Sequence, residues 1–205
     1  AAHISAGTPL TLAELFTHSQ AAHHAIQGTG SGADIAASTF GGCLGYAWRP
    51  KASLPDTENL LVDTAGTAWA RPLPGPLGTL SAVWSGQSAS TPKLVRQVRA
   101  LKQRDPAVYD GVISTVAEAA YTAMDAWCSG DRSQLIACAE ASMDALSVLG
   151  RSAGAELVTE THRTLNTIVG SRGVVKPTGA GGGDLAWIIG QSADAEAALC
   201  EELSS

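Results

Sequence analysis

A glycine-rich stretch from residue 28 to residue 42 constrains the fold of this chain more than any other part of it. It reads Gly-Thr-Gly-Ser-Gly-Ala-Asp-Ile-Ala-Ala-Ser-Thr-Phe-Gly-Gly, so three alternating glycines come just before Asp34. Alternating glycines permit a tight turn and let its N–H groups approach a ligand closely. Residues 34–39 contain no helix breaker, so we predict a short helix after the turn. Because amides of a first helical turn lack partners within the helix, this place is a candidate anion site.

Asp34 stands at the start of that predicted helix, where the helix dipole stabilises an ionised carboxylate. An ionised Asp beside a phosphate-binding turn can orient or deprotonate an attacking hydroxyl. The same pattern is also typical of an ordinary glycine-rich turn in which Asp34 caps the helix, because such motifs often occur without a ligand. The local sequence leaves both interpretations open.

Two further motifs follow in the chain. One is Trp84-Ser-Gly-Gln-Ser-Ala-Ser-Thr91, and the other is the glycine run Lys176-Pro-Thr-Gly-Ala-Gly-Gly-Gly-Asp184 between two apolar segments. With the first stretch, they make the chain resemble the GHMP kinase superfamily of galactokinase, homoserine, mevalonate and phosphomevalonate kinases. Residues 31–34 with Gly41-Gly42 are similar to the family's catalytic aspartate segment, and residues 176–184 are similar to its third motif. The details at 27–34 and 84–91 are most similar to the phosphomevalonate kinases.

The resemblance implies an α+β fold with the two-lobe GHMP architecture. Residues 1–72 would be the remainder of an S5-like first lobe, and residues 77–205 a ferredoxin-like second lobe with extra helices. The proline-rich segment 72–76 would be the boundary, since such a segment is stiff and extended; an ordinary surface loop is the alternative. The alternation of predicted strands and helices also favours an antiparallel sheet backed by helices.

The resemblance further implies transfer of a phosphoryl group from ATP, with Mg²⁺, to 5-phosphomevalonate in isoprenoid precursor synthesis. Asp34 would then be the catalytic residue. The glycines and small neighbours expected to bind the phosphates of ATP are Gly28, Gly30, Ser31, Gly32, Gly179, Ala180, Gly181, Gly182 and Gly183. The residues expected to contact the substrate are Ser88, Ser90, Thr91, Lys176 and Thr178.

Two of these expectations have structural alternatives. Thr91-Pro92 is a typical helix start, with Thr91 as N-cap and the proline in the first turn. The residues from Ser88 to Thr91 would then serve the helix rather than a phosphate. For Lys176, a surface position or a salt bridge is the alternative to a phosphate contact.

The chain departs from the family pattern at its beginning. The early Lys and the Gly-Leu-Gly-Ser-Ser-Ala phosphate loop of the family are absent. We therefore expect the chain to correspond to the C-terminal two-thirds of such a kinase, and to be inactive by itself if so. The other interpretations are a mevalonate kinase, another GHMP alcohol kinase, or a non-catalytic module that binds a metabolite.

Composition limits the partners. The net charge of −6 argues against a nucleic-acid-binding surface. The sequence contains no run of 18 apolar residues, so we expect no membrane span. A small-molecule substrate is the expected partner, and a second copy of the chain is a candidate one. Four widely spaced cysteines without a C-x-x-C pair predict reduced, mostly buried thiols in a cytoplasmic protein.

Three histidines, His18, His23 and His24, lie in the first predicted helix. Because no further ligand type is near them in the sequence, we expect no metal site. A polar wall beside the glycine turn is the preferred role for His23 or His24.

Periodicity and capping signals predict the remaining elements. Helix starts are expected at the capping box of Thr11 and Glu14, at Thr91, at Asp105 and at Asp131. Predicted helices cover residues 11–27, 91 onward, 105–127, 131–149, 156–169 and 194–203, with Gly150 ending the fourth. Predicted strands cover residues 43–48, 60–62, 67–71, 79–84, 173–175 and 185–190. Apolar faces are predicted at Leu12, Leu15, Phe16, Ser19 and His23; at Val112, Val116, Ala120, Met124 and Trp127; at Leu135, Ala139, Met143, Leu146 and Leu149; and at Leu157, Leu165 and Ile168.

Overall fold

A computed structural model describes residues 9–28, 30–48, 61–62, 68–75, 80–86, 88–179, 181–183 and 185–204 of the chain. The chain divides into two compact units, residues 1–75 and residues 76–205. The division falls in the proline-rich segment after residue 72. The assignment of the units to the two lobes of a GHMP kinase stays a prediction. The site residue Ala180 lies outside the described residues.

The first unit combines two helices with a three-stranded antiparallel sheet. Its elements are α1 (Leu12–Gln27), α2 (Ala33–Phe40), β1 (Leu44–Trp48), β2 (Leu61–Val62) and β3 (Ala68–Pro72), with strand order β1-β3-β2. Its core is the buried Phe16 of α1 with Ala36 of α2 and Ala68 of β3. The rings of Phe40 and Tyr46 lie 5.6 and 6.3 Å from that of Phe16, so aromatic packing joins both helices to the sheet.

Helix α1 begins as its sequence predicts, with both hydrogen bonds of a capping box between Thr11 and Glu14. The predicted apolar face is wrong at two positions, because Leu12 and Leu15 are 50% and 41% exposed. The residues that are buried are Phe16 and Gln20. Leu15 lies 100° around the helix from Phe16, so a core contact by Phe16 leaves Leu15 on the flank.

The second unit packs helices against another three-stranded antiparallel sheet. Its elements are β4 (Ser81–Trp84), α3 (Thr91–Arg104), α4 (Pro106–Ser129), α5 (Arg132–Ala153), α6 (Glu160–Val169), a 3-10 turn (Gly170–Arg172), β5 (Gly173–Pro177), β6 (Leu185–Gly190) and α7 (Ala193–Ser204). The strand order is β4-β6-β5, and Val175 is opposite Ile188 in the register. On one face these strands pack against Leu165 and Val169 of α6 and Leu199 of α7. The predicted α+β class, with antiparallel sheets backed by helices, is confirmed.

A buried carboxylate ties α7 to this sheet. Glu196 is fully buried and accepts hydrogen bonds from the hydroxyl of Ser81 in β4 (3.0 Å) and from the amide of Gly190 in β6 (3.3 Å). The guanidinium of Arg132, at the start of α5, lies 3.5 Å from the same carboxylate and donates to the Gly190 carbonyl at 2.6 Å. Four elements therefore share one polar cluster.

The apolar stripe predicted for α4 is wrong at Ala120, which is exposed. The buried residues of this helix are Ala119, Ala126 and Trp127. Each step of four residues advances 400°, so a stripe drawn at constant spacing of four turns 40° away from the core per step. The real face takes a step of three residues, from Val116 to Ala119, to stay against the core.

The predicted end of α5 at Gly150 is also wrong. The helix continues to Ala153, and Gly154 forms its left-handed C-cap. Gly150 is buried inside the helix, where an added Cβ would lie 2.6 Å from the carbonyl oxygen of Ala155. The amide of Ala155 donates to the Gly150 carbonyl at 2.9 Å. A glycine stands here because the returning chain occupies the space of a side chain.

Helix α6 begins at Glu160, four residues later than predicted. Thr159 is the N-cap, and the third helical residue, His162, completes a capping box by accepting the amide hydrogen of Thr159 on Nδ1 at 3.0 Å. His162 is fully buried, and burial lowers its pKa from the ordinary value near 6.5. The expected box residue is Glu or Gln, so sequence reasoning missed this start.

The four cysteines are thiols outside any disulfide, as predicted, but the expectation that most are buried is wrong. Cys138 is buried, Cys43 and Cys200 are half-buried, and Cys128 is exposed. None of the helices that the structure describes combines the length and the apolar character needed to cross a lipid bilayer.

Exchange of glycine for alanine should have opposite effects in the two long helices. Gly150→Ala should lower the free energy of unfolding by about 1–3 kcal/mol, since the methyl group meets backbone. Gly111→Ala in α4 should raise it by about 0.5–1 kcal/mol, because nothing lies within 4 Å and alanine is the better helix former. Urea unfolding measures both. A stabilised Gly150→Ala variant would contradict the close approach of Ala155.

Acidification should destabilise the second unit through His162. Because its folded-state pKa is lowered, the unfolded chain binds the proton more readily, and stability falls as the pH drops below about 6.5. Protonation also removes the Nδ1 acceptor of the capping box. Between pH 7.5 and 5.5, the melting temperature should fall more in the parent chain than in His162→Gln, which keeps a box residue without a titrating ring. An equal fall in melting temperature for the parent chain and for His162→Gln would rule out His162 as the cause of the acid destabilisation.

Candidate functional site

The first glycine turn connects α1 to α2. Gly28 is the left-handed C-cap of α1, and its amide already donates to the His24 carbonyl at 2.9 Å. Gly32 is the N-cap of α2, with φ of 80°, and offers no side chain to the helix start. The predicted sequence of turn and short helix is therefore present, with α2 covering Ala33–Phe40.

The turn lies directly against α1. An added Cβ at Gly32 would lie 2.9 Å from the Gln20 side chain, and one at Gly30 would lie 2.7 Å from Nε2 of His23. His23 thus forms the polar wall that the sequence predicted. Gln20 is a contact that sequence reasoning missed, because a buried glutamine on an apolar face carries no recognisable signal.

Ser31 is fixed from two sides. Its carbonyl accepts a hydrogen bond of 2.6 Å from the hydroxyl of Tyr46 in β1, and its hydroxyl accepts one of 3.3 Å from the amide of Ala33. Tyr46 was not predicted as a site residue. Its position in the strand that follows Gly41-Gly42 was the available signal, since a tyrosine beside a turn often uses its hydroxyl to hold backbone.

Asp34 is the second residue of α2 and is exposed, so the interpretation of Asp34 as the helix cap is wrong. It lines a groove of 350 Å³ between α1 and α2. The other lining residues are Leu15, Ser19, Ile35, Ser38 and Thr39. Among the described residues, the amides of Asp34 and Ile35 have no hydrogen-bond acceptor, as is usual for a first helical turn. The groove thus combines a carboxylate with three hydroxyls, and the open amides belong to two of its lining residues.

The second glycine turn joins β5 to β6 in the other unit. Thr178 donates to the Leu185 carbonyl from its amide (3.0 Å) and its hydroxyl (2.9 Å), which closes the turn. The amide of Gly181 donates to the Thr178 carbonyl at 3.0 Å, and the amide of Gly182 donates to the Leu157 carbonyl at 2.8 Å. Among the described residues of the run, Gly179 and Gly183 keep amides without a recorded acceptor.

This turn also lies beside the start of α3. An added Cβ at Gly182 would lie 2.5 Å from Cδ1 of Leu94 and 3.6 Å from Cβ of Ala89. The structure therefore brings the glycine turn close to the loop that holds Ser88 and Ser90, both of which are exposed. The expected N-cap is wrong: Ser90 is the N-cap, without a side-chain hydrogen bond, and Thr91 is the first helical residue.

Lys176 stands in β5, two residues before Thr178. It is half-buried, and burial lowers its pKa from the usual lysine value. Its Nζ donates to the Pro177 carbonyl at 3.2 Å. A partly desolvated ammonium with one neutral acceptor can still gain much from an anionic partner.

In the described part of the chain, no three His, Cys, Asp or Glu side chains come together as a metal-binding group. Mg²⁺ in kinases typically binds through one or two carboxylates together with substrate phosphates and water, so it does not require such a group.

Comparison with known proteins completes the description of the site. The chain is 32% identical over 186 residues to a phosphomevalonate kinase from Streptomyces sp. strain CL190. The matched segment covers 87% of this chain and 50% of that protein. The resemblance to the GHMP kinases is confirmed. No family model matches the chain. The chain spans about half the length of this relative.

Solved structures agree on the fold. The Lin0012 protein from Listeria innocua superposes with a TM-score of 0.80 at 24% identity, covering 94% of this chain and 56% of that chain. The L. major mevalonate kinase in complex with R-mevalonate gives a TM-score of 0.67 at 22% identity, covering 95% and 54%. At these identities the likeness establishes the GHMP fold.

Packing of the first turn against α1 can be tested with paired glycine substitutions. Gly32→Ala should lower the free energy of unfolding by about 2–4 kcal/mol, from its left-handed backbone and from the clash with Gln20. Gly28→Ala is the matched control, with φ of 68° and ψ of −6° in the same left-handed region and nothing within 4 Å, and should cost about 1–2 kcal/mol. Equal losses in urea unfolding would show that Gln20 yields without cost.

Proposed function

We propose that the protein carrying this chain is an ATP-dependent GHMP-type kinase that phosphorylates 5-phosphomevalonate. The observation that carries the proposal is the identity of 32% to a phosphomevalonate kinase over 87% of the chain. The groove at Asp34 supports it, because a carboxylate beside open helix amides suits a reaction between an alcohol or phosphate acceptor and a triphosphate.

Asp34 would orient or deprotonate the acceptor. Asp34 is exposed in the groove and accepts no side-chain hydrogen bond from the described residues, which leaves both carboxylate oxygens available for this role. The amides of Asp34 and Ile35 would stabilise negative charge at the same helix start. Mg²⁺ bound with ATP would neutralise the charge that develops on the transferred phosphoryl group.

The residues proposed for the phosphates divide between the two units. In the first unit, Gly30, Ser31 and Gly32 present backbone next to Asp34, while Gly28 serves mainly as the cap of α1. In the second, the Gly179 and Gly183 amides have no acceptor among the described residues, and the Gly181 and Gly182 amides support the shape of the turn. Ala180 stays a sequence prediction.

The phosphate that 5-phosphomevalonate already carries needs a cationic or hydrogen-bonding site. We assign this role to Lys176 with the hydroxyls of Ser88, Ser90 and Thr91, because the positive end of the α3 dipole and a partly desolvated ammonium both favour an anion. Thr178 would contribute through the turn that it closes. The cytoplasmic location and the homodimer remain predictions from the sequence.

Replacement of the proposed catalytic carboxylate tests the mechanism. Asp34→Asn, in the full-length protein, should lower kcat at least 100-fold while ATP binding is retained, since general-base catalysis typically contributes that much. Asp110→Asn is the matched control, an exposed aspartate in α4. A coupled assay of ADP release and a calorimetric titration with ATP give the two readouts. Turnover near normal in Asp34→Asn would contradict the role.

The same assay decides the acceptor. We expect turnover with 5-phosphomevalonate to exceed that with mevalonate and other alcohols. If turnover is higher with mevalonate, the substrate assignment changes to mevalonate and the assignment as a kinase stands. Binding of 5-phosphomevalonate without binding of ATP would identify a non-catalytic metabolite-binding module instead.

A further inference from the structure

A second cavity in the unit of residues 76–205 has no role in the proposed reaction. It has a volume of 370 Å³, within the range of small-molecule sites. It lies where the end of α5, the loop 154–158 and the first turns of α6 meet. Its lining includes Ser147, Arg151, Glu156 and Arg163, together with backbone of the loop.

Two guanidinium groups give this cavity its charge. Arg163 donates to the Val158 carbonyl at 2.9 Å and lies 4.0 Å from the Glu160 carboxylate, so it is held by its own structure. Arg151 is exposed and, within the described part of the chain, makes no side-chain hydrogen bond or ion pair. The lining itself holds two arginines and one carboxylate, Glu156, and therefore carries one net positive charge, while the Glu160 carboxylate lies outside the lining.

The ordinary structural role of Arg151 is taken by other residues. A basic residue in the last turn of a helix commonly donates to its final carbonyls. Here Arg104 donates to the Ser152 carbonyl at 2.6 Å, and Gln97 donates to the Gly154 carbonyl at 2.5 Å. These bonds also cover carbonyl oxygens that would otherwise repel an anion. Arg151 is thus left with an open, planar set of donors.

We propose that this cavity binds a small phosphorylated anion, with Arg151 as its main contact and Arg163 as the second. Guanidinium groups match phosphate oxygens with paired hydrogen bonds. Glu156 and Ser147 suit a ligand that carries a hydroxyl or amine beside its phosphate.

The same loop connects the cavity to the second glycine turn. Leu157 lines the cavity, and its carbonyl accepts the amide hydrogen of Gly182. An anion that displaces this loop would also displace the Leu157 carbonyl that holds the glycine turn. Binding of the anion would then change the affinity for ATP, and binding of ATP would change the affinity for the anion by the same factor. This coupling rests on the proposed function, whereas the anion site itself does not.

Titration of the isotope-labelled chain with inorganic pyrophosphate tests the site without ATP. We expect shifts of the backbone amide signals of residues 150–158, saturating at millimolar pyrophosphate or below. Arg151→Gln should weaken this binding at least fivefold. Arg96→Gln, which removes an exposed charge from α3, should leave it unchanged and controls for net charge.

Three outcomes would overturn the proposal. The first is that the amide signals of residues 150–158 do not shift at pyrophosphate concentrations up to about 10 mM. The second is that Arg151→Gln binds pyrophosphate as tightly as the parent chain. The third is that Arg96→Gln weakens the binding as much as Arg151→Gln does. Signals at residues 30–35 and 179–183 report separately on the proposed nucleotide site. If pyrophosphate shifts the signals of residues 150–158 but not those of the proposed nucleotide site, the result counts against the proposed kinase function and not against the anion site.

Discussion

The carbonyl oxygen of Leu157 is the point on which the second unit depends. It accepts the amide hydrogen of Gly182, and Gly181 approaches it so closely that a side chain would not fit. The loop that carries Leu157 reaches this position because Gly150 admits Ala155 against the helix. The end of a helix, a surface loop and a strand connection thus hold one another through backbone, and two of the contacts require that a methyl group be absent.

The first unit uses the same principle with different partners. Gly30 and Gly32 let the turn rest on His23 and Gln20, while Tyr46 holds the turn from the sheet side. A turn without side chains has little stiffness of its own. Its shape is therefore imposed by neighbours with fixed positions, as a pre-organised charge-stabilising site needs.

Local signals could be read from the sequence, and contacts between distant residues could not. The capping box at Thr11 and the caps at Asp105 and Asp131 depend on the next three residues, and the structure has all of them. The helical Gly150 and the histidine cap of α6 depend on packing from elsewhere, so sequence reasoning misplaced one helix end and one helix start. For the site, the first glycine turn could be read from its own residues and the roles of both turns from family resemblance, whereas the supports Gln20 and Tyr46 became visible only through the fold.

The buried Glu196 has a consequence for the end of the chain. Residues near a terminus are often dispensable, because few contacts hold them. Here the last helix delivers a negative charge into the interior, where Arg132 and two strands are arranged around it. Trimming that helix would remove the carboxylate that faces Arg132 and expose the apolar surface beneath it. A chain shortened by this helix should consequently misfold, aggregate and be degraded, and should not form a smaller folded unit.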